Sequence, residues 1–388
     1  MLSTNPKLIV HFSILILFSS LINPSIARKN HAINFKSPNL FPESIIWDPR
    51  DQHFIIGSLN HPIISSVSDA GIVNAEIVNA LPPTSFILGL SLHRRLRRIL
   101  AVVHHRNHTA ALACFDLKSR KLVFMASLDD HHENVEYIKS VVSDNELVGD
   151  GLEGGSKHAQ IGKFVANDVA VDFDGNAYVT GSGSDVIWKV NSDGVAFVLS
   201  RSMAFKGHPV DEKVAFNRVG LNGVVYCSKG YLLVVQSNSG KLYKVNVDDG
   251  SAKRVILNKD LVGGDGIAMR RDGVVVVVSQ ERLYFLKSDD SWGQGAVFDE
   301  TALEVEKQAS GVAVGDEDRV YVLYGYVNEG MMGGVEREEF SIVEIVSGKE
   351  AKEDSVWVFV LIGIGLAYFM FWRFQMRSLV QNLNKKTR

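Results

Sequence analysis

Short runs of β-branched and aromatic residues alternate along most of the chain with turns of Asp, Asn, Ser and Gly. One unit reads Asn167-Asp168-Val169-Ala170-Val171-Asp172, a turn at Asp174-Gly175-Asn176, and the run Ala177-Tyr178-Val179-Thr180. After a polar turn come Val186-Ile187-Trp188-Lys189-Val190, the turn Asn191-Ser192-Asp193-Gly194 and a last run from Val195 to Leu199. Four runs of strand length joined by hairpin-type turns predict a four-stranded antiparallel meander.

The unit recurs. Asn222 leads into Gly230 to Val235, Leu242 to Val247 and Asp249-Gly250; Asp265-Gly266-Ile267 leads into Asp272-Gly273, Val274 to Val278 and Arg282 to Leu286. Ser310 to Val314 opens another copy, and upstream Glu43 to Trp47 and Leu88 to Leu92 open two more. The units lead at about 43, 89, 167, 222, 265 and 310, spaced by 46, 78, 55, 43 and 45 residues. A period near 45 with four strands per unit predicts a β-propeller, because one such sheet cannot bury both faces alone. The excess in the 78-residue step lies in 129–163, which is polar and poor in strand signal, so six blades are expected. A β-sandwich of irregular strands is the alternative. Within that insertion Asp129-Asp130-His131-His132-Glu133 reads as a solvated loop, since adjacent ligands of this kind rarely face one cation.

The two ends break the pattern. Lys7 precedes an apolar run from Leu8 to Ile22, followed by Asn23-Pro24 and the small-residue stretch Ser25-Ile26-Ala27. That is the layout of a cleavable signal peptide over 1–27, with an uncleaved anchor as the alternative. Val356 to Trp372 holds 17 residues and no charge, enough to span most of a roughly 30 Å hydrocarbon core as a transmembrane helix. The tail 373–388 carries Arg373, Arg377, Lys385, Lys386 and Arg388 and no acid, so the positive-inside rule places it in the cytosol and residues 28–350 in the lumen. Lys385-Lys386 at the third and fourth places from the end resembles a dilysine retrieval signal. The expectation is a type I single-pass protein of the endoplasmic reticulum membrane.

A net charge of −3 gives no field for a nucleic-acid partner. Cys114 and Cys227 sit in apolar runs and read as buried thiols. Asn107-His108-Thr109 is a glycosylation sequon, used if Asn107 reaches the lumen.

In a propeller the innermost strands all start at one end of the central channel, so blade-leading residues converge in space. Here Glu43, Asn167, Asn222 and Asp265 lead four blades, a hard-oxygen set that suits Ca²⁺ better than zinc or copper. The alternative is that these residues only cap turns at strand entry.

These residues carry a family resemblance. Phe41-Pro42-Glu43-Ser44-Ile45-Ile46-Trp47-Asp48 resembles the opening motif of the senescence-marker-protein/gluconolactonase family of calcium-dependent lactonases. Val219-Gly220-Leu221-Asn222-Gly223-Val224 and Gly264-Asp265-Gly266-Ile267 resemble its Asn-Gly-Leu and Pro-Asp-Gly motifs, with Ser44 and Gly264 departing from the pattern. The resemblance runs from about 40 to 345. It implies a six-bladed propeller with calcium held by Glu43, Asn167, Asn222 and Asp265, and with Asp265 also the general base. Asp168 is a second candidate, as base or as a residue orienting Asn167. Paraoxonases and strictosidine synthases share this propeller. Ile99 to His105 resembles the paraoxonase strand that ends in a catalytic histidine, but the second histidine of that dyad would fall near Leu88-Gly89-Leu90. His104 and His105 therefore read as structural, and no match is found for the catalytic Glu of strictosidine synthases.

Two functions are in view. One is a calcium-dependent hydrolase of a lactone or related ester in the secretory lumen. The other is a membrane-tethered propeller that binds a partner or small ligand, with calcium only clamping the blades.

Overall fold

The computed structural model describes residues 31–77, 80–105, 109–128, 166–209 and 219–386. The signal segment 1–27, the sequon at Asn107 and the insertion 129–163 lie outside them.

Every predicted unit becomes a sheet, and the described strands form six sheets around one axis. Blade 3 runs Ala166–Val171, Ala177–Gly181, Val186–Val190 and Ala196–Ser200, each strand paired antiparallel with the next. Blade 1 begins at Ile45–Asp48, blade 2 at Ser85–His93 and blade 4 at Leu221–Cys227. Blade 5 begins at Ile267–Met269 and gains a fifth strand, Ile256–Leu257, parallel to Gln294–Ala302. Blade 6 begins at Ala309–Val314, continues through Val320–Tyr324 and Glu339–Ile345, and takes its outermost strand from the start of the chain, Ala32–Lys36. Phe35 pairs with Phe340 and Ala32 with Val343, so the first and last strands close the ring in one sheet. The sequence repeats did not contain this strand.

The two-residue period of the strands decides the packing. In blade 3, Val179 and Trp188 face blade 2 and pack on Val102 and Leu112, whereas Tyr178 and Ile187 face blade 4 and pack on Leu232 and Tyr243. Equivalent cores fill the other interfaces, so each blade buries both faces against its neighbours. Cys114 and Cys227 lie within these cores as free thiols, and burial pushes Cys114 up to about 11.

After Ile345 the chain forms a single helix, Gly348–Lys386, where the sequence suggested a 17-residue span and a separate tail. Its root is tied to blade 5: Glu350 accepts from Arg270 Nη1 at 2.7 Å, and Asp299 accepts from Ser347 Oγ at 2.6 Å. Among the described residues no helix is long and apolar enough to cross a membrane. The side chains of 356–359, the first part of the expected span, lie outside the described set.

Candidate metal centre

The site is made by irregularities in the innermost strands. The pairing of blade 3 skips from Ala166 to Val169, that of blade 4 from Leu221 to Val224, and that of blade 2 from Ile87 to Leu90. In blade 6 it skips from Ala309 to Gly311. These bulges release two residues, or one in blade 6, from the ladder. Blades 1 and 5 reach the same level just before their first strand residue. Six leaders thus stand at one end of the axis: Glu43, Leu88, Asn167, Asn222, Asp265 and Ser310.

The residue after each leader joins its blade to the next. In blades 2, 4, 5 and 6 it is glycine because the neighbouring backbone is too close for a side chain. A Cβ on Gly223 would stand 2.2 Å from the Asp265 carbonyl oxygen, and one on Gly89 would stand 2.5 Å from Asp168 Cα. In the other two blades a side-chain oxygen makes the link. Ser44 Oγ accepts from the Leu90 N–H at 3.1 Å, and Asp168 Oδ2 accepts from the Val224 N–H at 3.0 Å. Replacing Gly223 by Ala should therefore displace Asp265. Melting and cation titration should show a loss of about 1–3 kcal/mol in stability together with weakened cation binding.

All four residues nominated as ligands stand among the leaders. Asn167 donates its amide to Ser182 Oγ at 2.9 Å and Asn222 donates to Ser237 Oγ at 3.0 Å. In Asn167 this leaves the amide oxygen over, while the Asn222 side chain also hydrogen-bonds Asp265. Asn167 Oδ1 and Glu43 Oε2 are buried without any hydrogen-bond partner. Burial, then the charges of Asp265 and Asp168, raise Glu43 well above the ordinary carboxylate range. Burial also raises Asp265, opposed by a hydrogen bond from the Asn222 side chain. Among the described residues no Lys, Arg or His offsets the burial of Glu43, Asp168 or Asp265. Three clustered carboxylates and an unmatched amide oxygen fit an oxygen-preferring divalent cation.

Asp168 is differently placed from Asp265. Its Oδ1 accepts from the Val169 N–H at 2.8 Å, so with the Val224 bond both its oxygens are engaged by backbone. Burial still pushes it up to about 7 against those two bonds. This geometry makes it a strut between the innermost strands of blades 3 and 4. Asp265 has no such backbone bonds and is the carboxylate available to accept a proton.

Four of the leaders, Glu43, Asn222, Asp265 and Ser310, line one end of an axial cavity of about 720 Å³ together with Asp168, whereas Leu88 and Asn167 do not line it; its far end is lined by Trp47, His93, Arg95, Phe173 and Tyr226. A second acidic group, Asp48, Asp51 and His53, lies at that far end. Arg97 already occupies it, donating to Asp48 Oδ1 at 2.5 Å, Asp48 Oδ2 at 2.6 Å and Asp51 Oδ2 at 2.6 Å. One guanidinium spanning both acids cancels half their charge and bonds three of their four oxygens, so this group offers a metal less than the leaders do. His104 Nε2 lies 2.6 Å from the Ala166 carbonyl oxygen and its ring stacks on Phe86, while His105 Nδ1 pairs with Ser85 Oγ at 2.8 Å. Both are used in holding strands.

A beta-propeller repeat family matches residues 160–185. No curated protein matches the chain. Among solved structures, a gluconolactonase from Xanthomonas campestris is similar over 83% of this chain and 93% of its own, at 14% identity and a TM-score of 0.50. The chain has the fold of a gluconolactonase-type propeller. The Malassezia sympodialis allergen Mala s 1 is similar over 81% of this chain and 95% of its own, at 18% identity and a TM-score of 0.61. Identities this low speak for the fold alone, and the chemistry must be argued from the leaders. Sequence reasoning placed Ser310 at a blade start without naming it a site residue, and it missed the brace serines Ser182 and Ser237, which were signalled by lying 15 residues after their asparagines.

Proposed function

We propose that the protein is a calcium-dependent hydrolase of a lactone or related ester. The observation that carries this is the pair of buried oxygens without a protein partner, Glu43 Oε2 and Asn167 Oδ1, and a neighbouring Asp265 that no cationic side chain among the described residues offsets. Glu43, Asn167, Asn222 and Asp265 would hold the ion. When bound, it would polarise a carbonyl oxygen and make a nearby water more acidic. Asp265 would accept the proton of the attacking water, Ser182 and Ser237 would hold the two amides by their N–H groups, and Asp168 would brace blade 3 against blade 4. The gluconolactonase neighbour supports lactones as the first substrates to try.

Melting of the full-length protein with and without calcium tests the reading. Calcium should raise the melting temperature, and Glu43→Gln should remove the rise. Lactone hydrolysis should then follow calcium and vanish in Asp265→Asn. A calcium response without turnover of lactones or aryl esters would favour the second function, a propeller that binds a ligand around structural calcium.

The endoplasmic reticulum setting is a further part of the proposal. It is supported by the signal-like 1–27, the uncharged 356–372 and the basic end at Lys385-Lys386. The helix exposes Leu361, Ile364, Phe371 and Trp372, suited to a lipid environment. The chain enters its first strand and leaves its last on the face opposite the leaders, as the Glu344 N–H to His31 carbonyl bond of 2.8 Å requires. An anchor there would turn the site away from the membrane. Resistance to carbonate extraction, with a glycan at Asn107 sensitive to endoglycosidase H, is the expected result; a freely soluble, unglycosylated protein would overturn it.

A further inference from the structure

A spacing of 14 or 15 residues links Glu43, Asn167, Asn222 and Asp265 each to a serine at the top of the next strand. Ser58, Ser182 and Ser237 stand 15 residues after Glu43, Asn167 and Asn222, and Ser279 stands 14 after Asp265. Where the leader is an asparagine, the serine takes its amide N–H and passes its own proton to a carbonyl, Leu221 at 2.6 Å or Gly264 at 2.5 Å. Where the leader is a carboxylate, the serine turns away, Ser58 to the Leu40 carbonyl at 2.7 Å and Ser279 to that of Arg282 at 3.1 Å. The acid is then left to the axis.

Blade 6 breaks this pattern. Fifteen residues after Ser310 the place falls on Gly325, where a Cβ would stand 1.7 Å from the Pro42 carbonyl oxygen. No brace can exist there. Ser310 is 1% exposed, yet its Oγ has no hydrogen-bond partner. A buried hydroxyl that no protein group bonds is free to take an outside partner, and this one lines the same cavity as Glu43, Asn222 and Asp265. It also lies between the two carboxylate leaders. The Ser310 carbonyl accepts from the Gly266 N–H at 3.2 Å, and a Cβ on Gly311 would stand 3.1 Å from the Glu43 carbonyl oxygen.

We infer that Ser310 supplies a further oxygen to the cation cage of Glu43, Asn167, Asn222 and Asp265. The inference rests on the calcium reading above. Calcium takes six to eight oxygens, more than four side chains commonly give, and a neutral hydroxyl adds one without another charge. Five of the six leaders then bear oxygen. The sixth, Leu88, packs into the core between blades 6 and 1.

The test is calcium binding by calorimetry and melting of full-length wild type, Ser310→Ala and Glu43→Gln, each with calcium and with chelator. Ser310→Ala should bind calcium roughly tenfold more weakly. With chelator it should melt at or above the wild-type temperature, because only an unbonded hydroxyl is lost. Two results overturn the inference while sparing the calcium reading, provided Glu43→Gln loses binding: wild-type affinity in Ser310→Ala, or an equal drop in its melting temperature with and without calcium. No calcium binding by wild type would overturn both.

Discussion

Arg97→Ala is expected to destabilise the propeller by about 3–5 kcal/mol, measured by urea unfolding at neutral pH. Asp48 is fully buried at the end of the first strand of blade 1, and Arg97, from the hairpin of blade 2, binds both its oxygens. Truncating the arginine strands a carboxylate that has no route to water. Burial by itself would raise Asp48, but the Arg97 hydrogen bonds, the Arg50 N–H and the Arg97 charge outweigh it and hold the acid below its ordinary range. A lowered folded value means stability that is present above the unfolded value, near 4, and lost as pH falls through the folded one. The variant should therefore lose most at neutral pH and converge on wild type below about pH 4. Replacing both partners, Asp48→Leu with Arg97→Met, should recover much of the loss, since it removes the buried charge and leaves only the Arg50 N–H and the half-exposed Asp51 without their partners. A wild-type unfolding curve for Arg97→Ala would mean that water reaches Asp48 and that blades 1 and 2 are joined elsewhere.

That strut bears on how the chain is read. Asp48 could be seen from the sequence beside Glu43, but its partner lies 49 residues away on another blade, and no local pattern announces the pair. Blade 3 was legible almost strand by strand because its turns and its two-residue alternation fall in one continuous stretch. The closure of blade 6 was not, because Ala32–Lys36 pairs with Glu339–Ile345 across nearly the whole chain. The four ligand candidates were legible through their position at the blade starts. Their orientation was not. The bulges that aim Asn167 and Asn222, the serines that hold their amides and the backbone bonds that occupy Asp168 depend on register, which a one-residue shift would reverse. Asp168 shows the difference best: in the sequence it reads as a base or as an orienting residue, and in the fold one oxygen bonds Val169 of its own blade while the other pins blade 3 to blade 4.

The same carboxylates predict opposite effects of pH with and without calcium. In the metal-free protein Glu43, Asp168 and Asp265 are all raised, chiefly by burial. Their folded values lie above the unfolded ones, near 4, so the folded state holds protons that the unfolded chain has released. Stability should then fall as pH rises from about 4 through about 7, where Asp168 titrates in the fold. Each tenfold change in proton affinity is about 1.4 kcal/mol, so the cluster should cost several kcal/mol between pH 5 and pH 8. This window lies above that of Asp48, so the two effects separate on one titration. A cation favours the ionised cage, so calcium should be bound with release of protons and its stabilisation should grow with pH. Melting curves with chelator should drop steeply from pH 5 to pH 8, and with calcium the drop should vanish or reverse. Asp265→Asn should flatten the chelator curve, because an amide carries no charge to bury, and should lose the calcium effect at the same time. A chelator curve that stays level in wild type would show that the acids already have a cationic partner, and the case for a metal centre at the blade starts would fall with it.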